Sequence, residues 1–263
     1  MSSHTFHKYQ GAGNDFIIID NRNLKFTENN PQKIAQLCDR RFGIGADGFM
    51  LLQNSEEADF EMVYYNADGN LGSMCGNGGR CIVAFAKNQG IISNSTRFLA
   101  VDGIHEASID QAGTWVSLKM NDVNNIDSDG NDYILNTGSP HYVKIVSDLE
   151  TMDVATEGAS IRNQDTYRQE GINVNFTSPE DNGYFVRTFE RGVEDETLAC
   201  GTGVTAVALA MAKHNQQQGE IETPIRALGG NLLIRFHASD NHYSNIFLEG
   251  PAKFVFRGTI DLS

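Results

Sequence analysis

Hydrophobic positions along the chain fall into short runs separated by polar, glycine-rich turns. FIIID (16–20), FMLLQ (49–53), FEMVYY (60–65), TRFLAVDG (96–103) and WVSLKM (115–120) are rich in β-branched and aromatic residues and predict strands. PQKIAQLCDRRF (31–42) instead places Ile34, Leu37 and Cys38 on one helical face, so Cys38 is expected in the core. Two further helices are of another kind. CIVAFA (81–86) and AVALAMA (206–212) are apolar all round, which a surface helix is not, so each must be sheathed on every side.

Both apolar runs follow the same short motif. Met74-Cys-Gly-Asn-Gly-Gly-Arg-Cys and Ala199-Cys-Gly-Thr-Gly-Val each read Cys-Gly-x-Gly and then run into the buried helix. Cys75 and Cys200 stand 125 positions apart, and the offset recurs: Gly13-Asn14 falls on Gly138-Ser139, Gly48 on Asn173, and Asn66 on Arg191. An internal duplication follows, with halves of ordinary domain size. The expected fold is α+β: two pseudo-symmetric domains, each a curved mixed β-sheet wrapped around a central buried helix. The first half, 1–120, carries Cys75 and is completed by the C-terminal strand in 252–263. The second, 133–251, carries Cys200, with NDVNNIDSDGND (121–132) as the linker.

Composition narrows the function. A net charge of −14 with no lysine or arginine stripe argues against nucleic acid. The N-terminus lacks a basic segment followed by an apolar one, and no run is long enough to span a bilayer, so a cytoplasmic protein without a membrane partner is expected. The cysteines, Cys38, Cys75, Cys81 and Cys200, form no CxxC pair and no zinc-like cluster, so no metal is expected. Cys81, inside an apolar helix, is expected in the core. Gly43-x-Gly45-x-x-Gly48 matches the dinucleotide fingerprint, but it precedes a strand where the fingerprint requires a helix. Asp127-x-Asp129-x-Asn131 starts like a calcium loop but lacks its glycine and its final glutamate.

The two motifs carry the chemistry. A cysteine at a helix entrance has its thiol pKa lowered by the helix terminus. Amides beyond it, flanked by glycine, offer a site for a carboxylate. Two such termini pointing into one interdomain cleft would hold a carboxylate with a thiol on each side of its α-carbon. Inverting a stereocentre needs that arrangement, with one thiolate taking the proton and one thiol delivering another to the opposite face. A thiol hydrolase using Cys200 with His141 is the alternative, and a binding module that keeps only the fold is another. The hydrolase needs one cysteine and leaves the duplicated motif unexplained.

GAGNDF, GIGADG, YYNADG, MCGNGGRC, GSPHYV, FERGVEDETLACGTG and GPAKFVFRG, in this order from about residue 6 to 262, resemble the diaminopimelate epimerase family. The resemblance implies a cofactor-independent amino-acid epimerase that is usually a homodimer. Such an enzyme interconverts LL- and meso-2,6-diaminopimelate, a small-molecule substrate of lysine and cell-wall synthesis. It further implies that Cys75 and Cys200 are the acid/bases and that Gly76-Asn77 and Gly201-Thr202 grip the reacting carboxylate. His141 and Glu190 become the pair that tunes the thiols, and Asn14, Asn66, Asn173, Glu190 and Arg191 the substrate-binding set. The chain departs from the family pattern at Ser139, where Asn is frequent, and at Gly48, where Gln is frequent. Each shortens a side chain, so water or a neighbour must replace it. Phe256 stands where a dimer-stabilising Tyr is common.

Overall fold

The computed structural model describes residues 2–27 and 30–262. In chain order its first elements are β1 (Ser2–Gly11), β2 (Asn14–Asp20), α1 (Pro31–Cys38), β3 (Gly48–Gln53), β4 (Phe60–Asn66), α2 (Gly76–Asn88), β5 (Ser95–Ala100), β6 (Gly103–Ile109) and β7 (Trp115–Lys119). There follow β8 (Asp127–Asp129), β9 (Asp132–Asn136), β10 (Pro140–Ile145), a 3-10 turn (Leu149–Thr151), α3 (Val154–Arg162), β11 (Asn173–Glu180), β12 (Gly183–Glu190) and β13 (Asp195–Thr197). The last are α4 (Gly201–His214), β14 (Gly219–Ala227), β15 (Gly230–Ser239), β16 (His242–Pro251) and β17 (Lys253–Leu262). The chain forms two compact units, one running to Leu118 and resuming at Gly250, the other spanning Lys119–Glu249.

In the first unit β17 pairs antiparallel with β1, and β1 with β2. The pairing then runs parallel to β3, antiparallel to β4, parallel to β5 and antiparallel to β6 and β7. Helix α2 packs against β1, β2, β3, β6 and β17, and its residues from Gly76 to Ala86 are buried. An all-round apolar helix is stable only in such a sheath, each large side chain withdrawn from water contributing about 1.5–3 kcal/mol. Cys38 and Cys81 are core residues. Burial pushes the Cys38 thiol up to about 12 and the Cys81 thiol higher still.

The second unit repeats the plan: β8, β9 and β10 pair antiparallel, β10 with β11 parallel, β11 with β12 antiparallel and β12 with β14 parallel. Strands β14, β15 and β16 close it antiparallel. Helix α4 packs against β9, β10, β11, β12, β14 and β15. The 125-residue offset holds in the parallel pairs, where Phe16 faces Gly48 and His141 faces Asn173.

Three expectations need correction. Asn66 faces Gly48, but Val174 faces Phe189, so the ladder extended by one position sets Glu190, not Arg191, opposite Asn173. The loop after β12, which holds β13, is one residue longer than the loop after β4, and this restores the offset at Cys200. The stretch 121–132 is no linker. Val123 bridges to Tyr243, and Asp127–Asp129 pairs with β9 inside the second unit. Helix α1 stops at Cys38, short of the expected Phe42, because the Asp39 carboxylate accepts the backbone N–H groups of Arg41 and Phe42 at 2.7 Å each. Such a side-chain turn competes with helix continuation.

Strand β1 was not visible in the pattern because its inward face alternates polar with apolar: His4, Phe6 and Lys8 are buried. Lys8 is held by the Gly45 carbonyl and by Asp15 at 2.8 Å, and Arg40 completes the clamp on Asp15 at 2.7 Å. Burial alone would raise the Asp15 pKa, but hydrogen bonds from Arg40 and Lys8 outweigh it and hold the carboxyl at about 2, below the ordinary 3.8. A lowered carboxyl pKa stabilises the fold above the unfolded value and loses that stabilisation as pH falls through the folded one. Asp15→Asn should therefore destabilise the protein at neutral pH by about 1–2 kcal/mol after solvent screening. Urea titrations should show the gap between variant and wild type closing as pH drops below about 4. No helix among the described residues is long and apolar enough to cross a membrane.

Candidate active site

Each unit builds its site at the N-terminus of its buried helix. Cys75 is the N-cap of α2 and Cys200 the N-cap of α4, with closely similar backbone angles (φ −107°, ψ 123° and φ −104°, ψ 114°). The first intrahelical bonds run from Gly79 N–H to the Cys75 carbonyl and from Val204 N–H to the Cys200 carbonyl, at 2.7 and 2.9 Å. The amides of residues 76–78 and 201–203 precede them and have no acceptor within their own helix. Neither cap has a side-chain hydrogen bond of the usual kind. Cys75 is half-buried, whereas Cys200 is only 8% exposed.

In the first unit Asn77 lies on α2 with its amide donating to Asn14 Oδ1, and Asn14 donates in turn to Asp47 at 3.1 Å. Asn66 ends β4, exposed, with its side-chain oxygen beside Gly72. A neighbour occupies the space left by the short residue at 48. The Tyr64 ring lies between Gly48 and Gly72, where added β-carbons would meet it at 2.4 and 2.5 Å. Motif reading missed one residue here. Arg80, one turn into α2, is fully buried and donates to Asn77 Oδ1 at 2.7 Å and to the Gly76 carbonyl at 3.3 Å. Its Nε has no partner, and no carboxylate pairs with it among the described residues. A cation inside an apolar helix was the available signal.

In the second unit His141, fully buried on β10, has Asn175 Nδ2 at 3.0 Å from its Nδ1 and Ser139 Oγ at 3.0 Å from its Nε2. Burial, then the charge of Arg191, holds its pKa down at about 3, so the ring is neutral. Asn173 accepts from the Arg191 backbone N–H at 2.9 Å and donates to Ser139 Oγ at 3.1 Å. The Glu190 carboxylate accepts from Thr197 Oγ1 at 2.9 Å, and the exposed Arg191 guanidinium donates to the Glu170 carbonyl at 3.0 Å. Thr202 Oγ1 lies 3.4 Å from Cys200 Sγ. Gly203 is packed so closely on Asn175 that a β-carbon there would come within 2.3 Å of its Oδ1. The structure thus gathers Asn14 and Asn77 beside the Cys75 helix terminus. It gathers His141, Asn173 and Thr202 beside that of Cys200. All four cysteines are free thiols.

The family model described as diaminopimelate epimerase matches residues 6–126 and 133–255. The chain is 52% identical over 257 residues to the diaminopimelate epimerase of Flavobacterium psychrophilum, covering 97% of this chain and 99% of that protein. It is 44% identical over 276 residues to that of Chlorobaculum tepidum, covering 96% and 99%. Among solved structures, a PhzF-family phenazine biosynthesis protein of Bacillus anthracis superposes over the whole of both chains with a TM-score of 0.76 at 14% identity. A hydroxyproline epimerase of Agrobacterium vitis gives 0.72 at 12% identity, covering 98% of this chain and 92% of that one. These distant structures share the fold.

Proposed function

The chain belongs to the diaminopimelate epimerase family, and we propose that it interconverts LL- and meso-2,6-diaminopimelate by proton transfer between substrate and two cysteines. The observation that carries the reading is the paired Cys-Gly-x-Gly helix start, one cysteine capping the buried helix of each repeated unit.

In this mechanism one thiolate removes the α-proton and becomes a thiol. The thiol on the other face gives its proton to the planar carbanion and becomes a thiolate. One C–H bond breaks and one forms, and the two sulfurs exchange protonation states. Helix-terminal amides at Gly76-Asn77 and Gly201-Thr202 bind the reacting carboxylate and stabilise the charge that spreads onto it as the C–H bond breaks. Asn14, Asn66, Asn173, Glu190 and Arg191 bind the substrate. A distal zwitterion needs a bidentate cation for its carboxylate and an acceptor for its ammonium, which Arg191 and Glu190 supply. His141 is neutral, so it and Glu190 tune the thiols differently: the imidazole by hydrogen bonding, the carboxylate by charge. The scheme requires no cofactor. We assign it to the cytoplasm, where free thiols stay reduced, and to a homodimer, for which the exposed Phe254, Val255 and Phe256 of β17 provide apolar surface.

The test is a stereochemical assay of LL-diaminopimelate in D₂O. The purified protein should give the meso isomer with solvent deuterium at the inverted carbon. Substrate recovered without inversion or exchange, or cleaved, would overturn the reading.

A further inference from the structure

We propose that Ser139 and Thr202 are positioning residues that hold Cys200 toward its thiolate form, as the last links of a hydrogen-bond chain whose direction is set in the core. The inference rests on the reading of Cys200 as an acid/base and adds how this thiol is activated.

The direction follows from which atoms can donate. Asn175 is fully buried. Its Nδ2 donates to the Tyr142 carbonyl at 3.0 Å and its Oδ1 accepts from Thr188 Oγ1 at 3.0 Å. Flipping the amide would set its oxygen against a carbonyl, so Nδ2 is the atom that faces His141 Nδ1. His141 Nδ1 is therefore an acceptor, and the neutral ring carries its proton on Nε2. That Nε2–H donates to Ser139 Oγ at 3.0 Å. Asn173 is fixed in the same way, by the Arg191 N–H on its oxygen and the Pro140 carbonyl on its nitrogen, and it too donates to Ser139 Oγ, at 3.1 Å. With two donors on its oxygen, Ser139 directs its own proton to Thr202 Oγ1, 3.3 Å away. Thr202 accepts there and turns its proton on Cys200 Sγ at 3.4 Å. Each link donates towards the sulfur, and a hydrogen bond donated to the charged form of an acid lowers its pKa.

The frame that holds the chain is tight. The Thr202 carbonyl accepts from Thr137 Oγ1 at 2.9 Å, and Gly203 leaves no room for a side chain against Asn175. The first unit has no counterpart, because the duplicate positions of Asn175, His141, Ser139 and Thr202 hold Met50, Phe16, Asn14 and Asn77. The shortened side chain at 139 is what allows a hydroxyl to bridge His141 and Thr202. At this end of α4 His141 of β10 is linked through Ser139 to Thr202, and the charge of Arg191, just after β12, acts on the imidazole. Arg187 of β12 is paired with Glu196, and Tyr133 of β9 bonds His214 at the far end of the helix.

Ultraviolet thiolate titration without substrate tests this directly. In a Cys75→Ser background the Cys200 titration can be read apart from the other thiols, since burial pushes Cys38 up to about 12 and raises Cys81 as well. Thr202→Val keeps the backbone amide but removes the donor, and the Cys200 midpoint should rise by about one pH unit, a tenfold loss of thiolate. Ser139→Ala should raise it by about half as much, and Ser139→Thr should restore it. In the enzyme with both thiols, the acid limb of kcat/KM should move upward by the same interval. Unchanged midpoints in folded Thr202→Val and Ser139→Ala proteins would overturn the proposal. Shifted midpoints in a protein that fails to epimerise diaminopimelate would overturn only the assigned reaction.

Discussion

Cys75→Ser and Cys200→Ser should each lower epimerisation by at least about three orders of magnitude, with the fold intact. A serine hydroxyl keeps the hydrogen-bonding shape but is far too weak an acid to serve as the base, and general-base catalysis contributes about 10²–10⁴-fold. Neither helix loses a cap bond, because neither cysteine side chain provides one. The decisive reading is stereochemical. A β-halogenated diaminopimelate analogue needs only one base to lose its α-proton and expel halide, so each variant should still eliminate from the diastereomer whose proton faces its remaining thiol. Halide release measured with both diastereomers should show opposite preferences for the two variants. Identical profiles would mean that the thiols do not divide the two faces, and the two-base scheme would fall.

Much of this was legible because duplication writes the same local physics twice. Two apolar-all-round helices, each entered through Cys-Gly-x-Gly, required two sheaths and placed two thiols at helix termini before any contact was known. The pattern failed where polar side chains take apolar positions. Lys8 faces inward on β1 because Asp15 neutralises it and the Gly45 carbonyl, 37 residues away, accepts from it, contacts that no local period records. The equivalence of Asn66 with Arg191 failed for a related reason. The longer loop after β12 absorbs one residue, and only the strand register shows where. The direction of the chain from Asn175 to Cys200 was illegible too, since it depends on which amide atom meets which carbonyl.

Arg80→Met should separate activity from stability. The guanidinium is fully buried, and its neutral hydrogen-bond partners, Asn77 Oδ1 and the Gly76 carbonyl, leave Nε unsatisfied. Burial lowers its pKa to about 10, against the opposing influence of Cys81 and Cys75, so the charge persists at neutral pH. An ion buried without a counter-charge costs several kcal/mol, and replacing buried charges by apolar side chains of similar volume is often neutral or stabilising. The duplicate position in the second unit is Thr205, which satisfies itself on the Gly201 carbonyl at 2.9 Å, so this helix start does not need a cation to fold. The charge instead sits one turn behind the Cys75 amides, where it adds to the positive end of the helix and, through Asn77, fixes Asn14. Methionine fills the space but removes both effects. Its melting temperature should match or exceed that of the wild type, while kcat/KM falls about a hundredfold, the loss typical of one preorganised donor at a developing anion. Arg80→Lys retains the charge without the planar fork and should fall between the two. If Arg80→Met unfolds, the arginine is a structural strut, and if it keeps full activity, the buried charge takes no part in binding the carboxylate.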